Sequence, residues 1–265
     1  MQYTAGFIGC GNMGGALARA AAKAIDGNQI AICDYDTQKT EALRAELSAI
    51  PMDAKTLVEN TRFVFLGIKP QMMYKAIFPL VETINGSSCI VVTMAAGLSI
   101  DYFVNTLGIQ RPIIRIMPNT PCAVGEGMIL YSCNSSVAVE TEKSFLEVLS
   151  YVGKLDNIPE SLIDAASAVS GCGPAFVAIF TEALSDAAVA CGVPRDKAIL
   201  YSAQMVKGTA ELILSGEHPA VLKDKVCSPG GTTIAGVNAL EEHGLRAAAI
   251  SAVGAAYRRT LELKK

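Results

Sequence analysis

Two short glycine-containing segments have residue types and spacings that can bind anions. Gly9-Cys10-Gly11-Asn12-Met13-Gly14 lies near the N-terminus, and Cys227-Ser228-Pro229-Gly230-Gly231-Thr232-Thr233 lies between two helical patterns in the last fifth of the chain. Glycines let the backbone turn inward, so that several N–H groups and a helix N-terminus can face one ligand. Two such segments predict two ligands, a phosphate-containing cofactor and a small acidic molecule, as in an enzyme.

The elements around the first segment predict a nucleotide-binding fold. A strand-like run over residues 3–8 precedes the Gly-x-Gly-x-x-Gly pattern, and a helical pattern over residues 14–24 follows it. This arrangement within a βαβ unit is typical of dinucleotide binding, whereas the motif alone is weak evidence. Further continuous apolar runs predict strands buried on both faces, as in a parallel sheet covered by helices. These runs cover residues 29–33, 63–68, 90–94 and 113–117.

Asp34 is a candidate for recognising the cofactor's ribose. It ends the second predicted strand, twenty residues after Gly14, where a carboxylate accepts hydrogen bonds from the adenosine ribose and repels the 2′-phosphate of NADP. This position favours NADH over NADPH, although Lys39 could offset the repulsion. The alternative is that Asp34 is only a turn residue in Asp34-Tyr35-Asp36.

Three further segments follow predicted strands at the edge where open α/β sheets bind ligands. In the first of them, Lys69 is either a cofactor contact or a solvated loop lysine. In the last, Asn119 and Thr120 offer hydrogen-bonding groups. The segments are Gly67-Ile68-Lys69-Pro70, Ala95-Ala96-Gly97 and Met117-Pro118-Asn119-Thr120-Pro121.

The second half of the chain is helical and unusually apolar. Helical patterns cover residues 160–169, 174–191 and 195–214, and the middle one has only Glu182 and Asp186 as charged residues. A helix that is apolar on nearly every face must be covered on all sides, which predicts an intimate dimer. The fold class is therefore α/β, with an N-terminal Rossmann-like doubly wound sheet over residues 1–158 and an all-α dimerisation and substrate domain over residues 159–265.

Composition excludes several other classes of protein. The net charge of −3 argues against nucleic acid as a partner. The longest apolar run, residues 89–100, contains Gly97 and is too short to span a membrane, and no basic region of a signal peptide precedes the first strand. Eight cysteines without a CxxC pair or a nearby histidine predict no metal site and a reduced, cytoplasmic protein. With two histidines, His218 and His243, both beside turns, a Ser-His-Asp hydrolase is not expected.

Five motifs in order make the chain resemble the pyrroline-5-carboxylate reductases from end to end. This resemblance implies reduction of the cyclic imine 1-pyrroline-5-carboxylate to L-proline with NAD(P)H, the last step of proline biosynthesis. It also implies a Rossmann domain followed by helices that interlock with a second subunit. The motifs are Gly6-Phe7-Ile8-Gly9-Cys10-Gly11-Asn12-Met13-Gly14, Arg115-Ile116-Met117-Pro118-Asn119-Thr120-Pro121, Leu162-Ile163-Asp164-Ala165, Ser170-Gly171-Cys172-Gly173-Pro174-Ala175 and Val226-Cys227-Ser228-Pro229-Gly230-Gly231-Thr232-Thr233.

The same resemblance implies roles for individual residues. The turn after Gly231 is expected to bind the substrate carboxylate, Thr233 to hydrogen-bond the ring nitrogen as the catalytic residue, and Thr232 to line the same pocket. Alternatively, both threonines simply cap the next helix. Glu160 is expected near the substrate, or else it is only a favourable charge in a helix's first turn. The implied cofactor contacts are Ile8, Gly9, Cys10, Gly11, Asn12, Met13, Asp34, Lys69, Pro70, Ala95, Ala96 and Gly97.

Three alternative functions stay open at this point. The enzyme could reduce another cyclic imine acid. It could be a β-hydroxyacid dehydrogenase. That family has a pattern similar to Gly-x-Gly-x-x-x-Lys, in which the lysine transfers a proton, but the matching position here is Val177, and an apolar residue cannot transfer a proton. It could also be a sensor that binds NAD(H) or proline without turnover, because fold alone does not prove activity.

Overall fold

A computed structural model describes residues 2–263, and this part of the chain contains eight strands. They form one sheet, and five of the strands coincide with continuous apolar runs in the sequence. The strands are β1 (Tyr3–Ile8), β2 (Ile30–Cys33), β3 (Ile50–Pro51), β4 (Thr61–Leu66), β5 (Ile90–Thr93), β6 (Ile113–Met117), β7 (Gly127–Cys133) and β8 (Gly153–Asn157).

Twelve α-helices occur in the same described residues, besides a few short 3₁₀ and π turns. Six of them connect the strands, and the other six follow the last strand. They are α1 (Asn12–Ala24), α2 (Thr37–Leu47), α3 (Ala54–Asn60), α4 (Pro70–Ile77), α5 (Val81–Gly86), α6 (Val139–Val148), α7 (Glu160–Ser170), α8 (Gly173–Ala190), α9 (Arg195–Leu214), α10 (Pro219–Lys225), α11 (Thr232–Glu242) and α12 (Leu245–Leu263).

The chain divides into two compact units. The first comprises residues up to Cys172 together with residues from Ala256 onward, and it contains the sheet, α1 to α7 and the end of α12. The second comprises residues Gly173–Ala255 and is entirely helical between its turns. An α/β fold with a Rossmann-like sheet and a following helical part is therefore what the structure has.

The sheet has a topological switch beside its first strand. Its order is β3-β2-β1-β4-β5-β6-β7-β8, so the chain moves outward from β1 in one direction and then returns to the other side of it. β2 and β4 both pair with β1 in parallel, and their carboxyl ends flank the end of β1. This crevice is where open α/β sheets bind their ligands.

Two sequence predictions about the sheet need correction. The expectation of a parallel sheet is wrong at one edge, where β7 runs antiparallel to β6 and β8 runs parallel to β7. The strand predicted over residues 63–68 covers Thr61–Leu66, and Gly67 and Ile68 already belong to the loop. Strands β3, β7 and β8 had no counterpart in the prediction, because β3 has two residues and β8 is polar and only partly buried.

Aromatic side chains build the core on one face of the sheet. Phe7 on β1 and Phe65 on β4 are register partners, and their rings stack with centroids 4.6 Å apart. Phe145 from α6 packs against Phe65 and Phe63. The alternate residues of β4, among them Val64, face a second apolar cluster on the other face. Both faces are thus covered, as the continuous apolar runs predict.

The helical unit buries very little of itself. α8 packs along α9, and only Ser185, Ala198 and Ser202 are buried between residues 173 and 255. Large apolar side chains such as Ile179 (67% exposed) and Ile250 (74% exposed) face outward. Residues 160–190 are even long and apolar enough to cross a membrane by length and composition. Apolar surface of this extent requires a covering partner.

A buried arginine joins β6 to α7. Arg115 is 1% exposed and donates from one terminal nitrogen to Glu160 Oε1 (3.1 Å) and from the other to Asp164 Oδ1 (2.6 Å). The two carboxylates are four residues apart and so lie on one face of α7. A buried charge needs partners, so the single arginine in the apolar strand β6 fixes α7 against the sheet.

Arg115→Met should lower the free energy of unfolding by about 3–5 kcal/mol, because two carboxylates of α7 lose the cation that they share. Urea denaturation at a fixed protein concentration measures this. The triple variant Arg115→Met/Glu160→Gln/Asp164→Leu should recover much of the loss, since it removes the charges together with their partner. Equal stability of the wild type and the single variant would show that the cluster contributes nothing.

Candidate functional site

The loop after β1 packs against the loop after β4 at backbone contact. Gly9 has φ +98°, and a Cβ placed on it would lie 2.4 Å from the carbonyl oxygen of Gly67. A Cβ on Gly14, in the first turns of α1, would lie 2.0 Å from the carbonyl oxygen of Gly9. Three glycines are required here because strand, loop and helix approach more closely than side chains allow.

A cavity of about 530 Å³ lies beside these loops. It has the size of a small-molecule or cofactor site. Gly11 lines it, and within the described residues no heavy atom lies within 4 Å of the position of a Cβ on Gly11. The cavity is lined by Ile8, Gly9, Gly11, Cys33, Asp34, Tyr35, Lys39, Gly67, Ile68, Lys69, Gln71, Met72 and Ala76.

The N-terminus of α1 opens at the same glycine. Gly11 is the N-cap residue and has no side chain to accept from the first N–H groups of the helix, so these groups can bind an anion. Burial raises the pKa of the neighbouring Cys10 thiol to about 12, so this side chain stays neutral. The loop therefore fits the phosphates of a dinucleotide, because it offers backbone donors and no negative charge of its own.

Five of the twelve predicted cofactor residues line the cavity, namely Ile8, Gly9, Gly11, Asp34 and Lys69. Cys10, Asn12 and Met13 belong to the same loop and the first turn of α1, and Pro70 begins α4. Ala95, Ala96 and Gly97 follow β5, the strand next to β4, and are not among the residues that line the cavity.

The lining also includes residues that sequence reasoning did not select. Met72 and Ala76 lie four residues apart on α4, and Gln71 lies beside them. Helical spacing after the Lys69-Pro70 segment was the signal that could have found them. Cys33 and Tyr35 flank Asp34 at the end of β2, and Tyr35 is 96% exposed.

Asp34 makes a turn contact and also lines the cavity. Its Oδ1 accepts from the N–H of Asp36 (2.9 Å), which is a turn interaction, and its Oδ2 accepts from the N–H of Cys10 (2.7 Å). The same side chain lines the cavity. The carboxylate thus ties the loop after β2 to the glycine loop and at the same time faces the space for a ligand.

Asn119 has a structural role in place of the binding role that the sequence suggested. Its Oδ1 accepts from the N–H of Met128, and its Nδ2 donates to the carbonyl oxygen of Ser170 (2.9 Å). Because both ends of this buried amide are used, it joins the start of β7 to the end of α7.

Glu160 is held in place by two donors. Its Oε1 accepts from Arg115 and from the backbone N–H of Ile100 (2.7 Å), in the segment that follows Ala95-Ala96-Gly97. The glutamate side chain is 27% exposed, whereas that of Arg115 is 2% exposed. Glu160 is therefore more than a first-turn charge of α7: it also fixes the loop after β5.

In the helical unit, the loop at residues 227–233 leads into α11. Gly230 has φ +68°, and Gly231 is the N-cap residue of α11. Thr232 and Thr233 are the first two residues of the helix and are exposed. The interpretation of the threonines as capping residues is therefore wrong, because the cap position belongs to a glycine. The exposed helix N-terminus and two hydroxyl groups are available to an anion.

The approach to this loop is held by an ion pair. Lys225 at the end of α10 donates to Glu217 Oε1 (2.5 Å), which precedes that helix. Over residues 2–263, no group of three or more His, Cys, Asp or Glu side chains could hold a metal ion.

Comparisons with known proteins match both parts of the chain. Residues 4–97 match the family model described as NADP oxidoreductase, coenzyme F420-dependent, and residues 160–263 match the model described as pyrroline-5-carboxylate reductase dimerisation. The chain is 39% identical over 270 residues to the pyrroline-5-carboxylate reductase of Escherichia coli, with all of both chains covered. It is 42% identical over 233 residues to that of Synechocystis sp., covering 88% of this chain and 84% of the other.

A solved structure shows the same fold over the full length. The Plasmodium falciparum pyrroline carboxylate reductase, solved with NADP bound, superposes with a TM-score of 0.86 and 29% identity, and all of both chains is covered. Its similarity includes both the sheet and the helices that follow it.

Two glycine substitutions should separate an effect on the stability of the fold from an effect on cofactor binding. Gly67→Ala should lower the free energy of unfolding by about 1–3 kcal/mol, because its Cβ would lie 2.4 Å from the carbonyl oxygen of Gly9. Gly11→Ala should change stability by less than about 0.5 kcal/mol, because its Cβ extends into open space. It should nevertheless weaken NAD(P)H binding about tenfold by filling the cavity. Thermal unfolding and cofactor titration measure the two effects, and unchanged cofactor affinity in Gly11→Ala would place the phosphates elsewhere.

Proposed function

The chain belongs to the pyrroline-5-carboxylate reductase family and reduces 1-pyrroline-5-carboxylate to L-proline with NAD(P)H, and we propose which of its residues bind the two reactants. The observation that carries the proposal is that both predicted anion-binding segments form glycine-led helix N-termini. One lies beside the cavity in the sheet unit, and the other lies in the helical unit.

The cavity beside β1 and β4 is the proposed cofactor site. The cofactor supplies the hydride for the reduction. Gly11 and the first N–H groups of α1 bind its phosphates. Gly9, whose N–H donates to the carbonyl oxygen of Cys33 (2.8 Å), contacts the cofactor as part of the cavity lining and leaves room for it. Asp34 accepts from a ribose hydroxyl, and Lys69 lines the cavity at the start of α4. Cys10, Asn12, Met13, Pro70, Ala95, Ala96 and Gly97 complete the proposed contacts.

The loop at residues 227–233 is the proposed substrate site. The N–H of Gly231 closes the turn by donating to the carbonyl oxygen of Ser228 (3.0 Å). Gly231 thereby directs the N–H groups of Thr232 and the next residues of α11 to one point, where the substrate carboxylate binds. Thr233 hydrogen-bonds the ring nitrogen, and Thr232 lines the same site. Such residues act by positioning and electrostatics, and no covalent nucleophile is required.

Glu160 is kept among the proposed substrate residues in a restricted sense. Its Oε1 is occupied by Arg115 and the N–H of Ile100, yet more than a quarter of the side chain is accessible. We infer that the accessible part of this side chain contacts the substrate. The buried arginine keeps it in position.

The protein is proposed to be a homo-oligomer in which the helical units of two subunits interlock. The support is the exposed apolar surface of α8 to α12 and the match of residues 160–263 to a dimerisation family model. The same surface accounts for the apolar stretch at residues 160–190 without a membrane. A cytoplasmic location is proposed as well, because all eight cysteines are unpaired thiols, as expected in a reducing compartment.

A direct assay follows the absorbance of NADH or NADPH with 1-pyrroline-5-carboxylate and with a six-membered cyclic imine acid. We expect faster turnover of the five-membered substrate and formation of L-proline. Turnover of the six-membered imine alone would identify a different imine reductase. Binding of cofactor without any turnover, in folded protein, would indicate a sensor.

Thr233→Ala should lower kcat/KM for the imine about 10- to 100-fold, because one hydrogen bond to a charged group is lost. Cofactor affinity should stay the same, since the cavity is in the other unit. Thr209→Ala, an exposed threonine of α9, is the matched control and should have wild-type kinetics. Loss of cofactor binding in Thr233→Ala would show that the loop binds the cofactor and that its assignment to the imine is wrong.

Ile179→Asp should dissociate the oligomer, because it places a charge on the apolar face of α8, where the side chain is 67% exposed in the single chain. Sedimentation velocity measures the mass. Val124→Asp, at a similarly exposed position in the sheet unit, should leave the oligomer intact. If both variants keep the wild-type mass, α8 is not part of the subunit interface.

A further inference from the structure

The ribose end of the cavity contains a compact cluster of charges. Asp34, Tyr35 and Lys39 line the cavity, and Asp36 lies between them in the loop from β2 to α2. This inference rests on the proposed function, in that it concerns the cofactor that the cavity binds. The charges of this cluster bear on whether the cavity accepts a 2′-phosphate.

Asp34 is fixed within this cluster. Its two oxygens accept from the backbone N–H groups of Cys10 and Asp36, at 2.7 and 2.9 Å. Two backbone donors hold the carboxylate where it is, so it cannot rotate away from an incoming phosphate. A ribose 2′-hydroxyl can donate to such a carboxylate, whereas a 2′-phosphate, which is mostly dianionic at neutral pH, is repelled by it.

Lys39 is the cation that could offset this charge, but it is already engaged. Its Nζ lies 3.4 Å from Asp36 Oδ2 and 5.4 Å from the centre of the Tyr35 ring. The nearby Asp34 carboxylate is the main cause of the raised pKa of Lys39. The ammonium is therefore shared among two carboxylates and an aromatic face.

The balance of charge at this end is negative. Two carboxylates stand against one ammonium group, and a 2′-phosphate would add about 1.5 to 2 further negative charges. An ion pair at the surface is weak, so it is the net charge and the position of Lys39 that matter more than the energy of the pair itself.

We propose that Asp36, by pairing with Lys39 and so reducing its availability to a 2′-phosphate, makes the cavity prefer NADH to NADPH. Asp36 does not line the cavity, so it is a positioning residue that acts through Lys39. Asp34 supplies the fixed carboxylate for the ribose, and Asp36 decides whether the lysine is available to a phosphate.

Asp36→Asn is a clean test because it removes one charge and keeps the geometry. Asp36 is the N-cap residue of α2 and accepts from the N–H of Gln38 (3.1 Å), a role that asparagine performs equally well. Asp34→Ser would be a poorer test, because it would also remove the hydrogen bond from Cys10.

Dissociation constants for NADH, NADPH, 5′-AMP and adenosine 2′,5′-bisphosphate should be measured by calorimetry. In the wild type, the ligands without a 2′-phosphate should bind more tightly. In Asp36→Asn, affinity for NADPH and the bisphosphate should rise about threefold to tenfold. Affinity for NADH and AMP should change by less than about twofold, and added salt should reduce the gain.

Two further variants control this result. Asp53→Asn changes the N-cap of α3, which accepts from the N–H of Thr56 (3.0 Å) and does not line the cavity, so it should leave all four affinities unchanged. Asp36→Asn/Lys39→Gln should lose the gain, because the freed ammonium group is its cause. Both results are required by the proposal.

The proposal is overturned if Asp36→Asn does not strengthen binding of the 2′-phosphorylated ligands. It is also overturned if Asp53→Asn gives the same gain, or if the double variant keeps it. Failure of the proposed function is a separate result, because binding of AMP and the bisphosphate requires no turnover. The expected affinities without reduction of any imine would support this inference and contradict the enzyme assignment.

Discussion

The close approach of Gly9 to Gly67 is the constraint on which the cofactor cavity depends. β1 and β4 are neighbours at the topological switch of the sheet, and the loops that leave them touch through backbone atoms. Any side chain at Gly9, Gly14 or Gly67 would push loop, strand and helix apart. The cavity beside them exists because the sheet order opens a crevice there and because the glycines have no side chains that would fill it.

A second constraint acts on the helical unit, which cannot stabilise itself by its own core. Its buried residues are two serines and an alanine, so the contact between α8 and α9 is close but contributes little apolar burial. The proposed dimer would supply the apolar burial that these helices lack. Folding and assembly would then be one process, and the free energy of unfolding would depend on protein concentration.

The sequence predicted the fold where the physical signal was local. Continuous apolar runs located the buried strands, and α9 covers residues 195–214 as its pattern indicated. β8 was not predicted because a polar, partly buried edge strand has no periodic signal. β7 was missed although its apolar residues 128–131 were an available signal. The ion pairs of Arg115 with α7 were not predicted either, although a lone arginine in a buried strand requires partners. The carboxylates four residues apart in α7 were the available clue. Which loops meet, as with Asp34 and Cys10, is decided by tertiary contacts that no local pattern encodes.

The two candidate sites divide the work between backbone and side chains in the same way. At the two proposed anion sites, Gly11 and Gly231, the chain has a glycine N-cap and the N–H groups of a helix, which hold no net charge. Charged side chains, Asp34 and Lys39, line the cavity where the proposal has the two cofactors distinguished. Backbone donors are fixed by the fold, whereas a single carboxylate can alter selectivity. Affinity for the shared phosphates and choice between cofactors can therefore be set by different groups in this cavity.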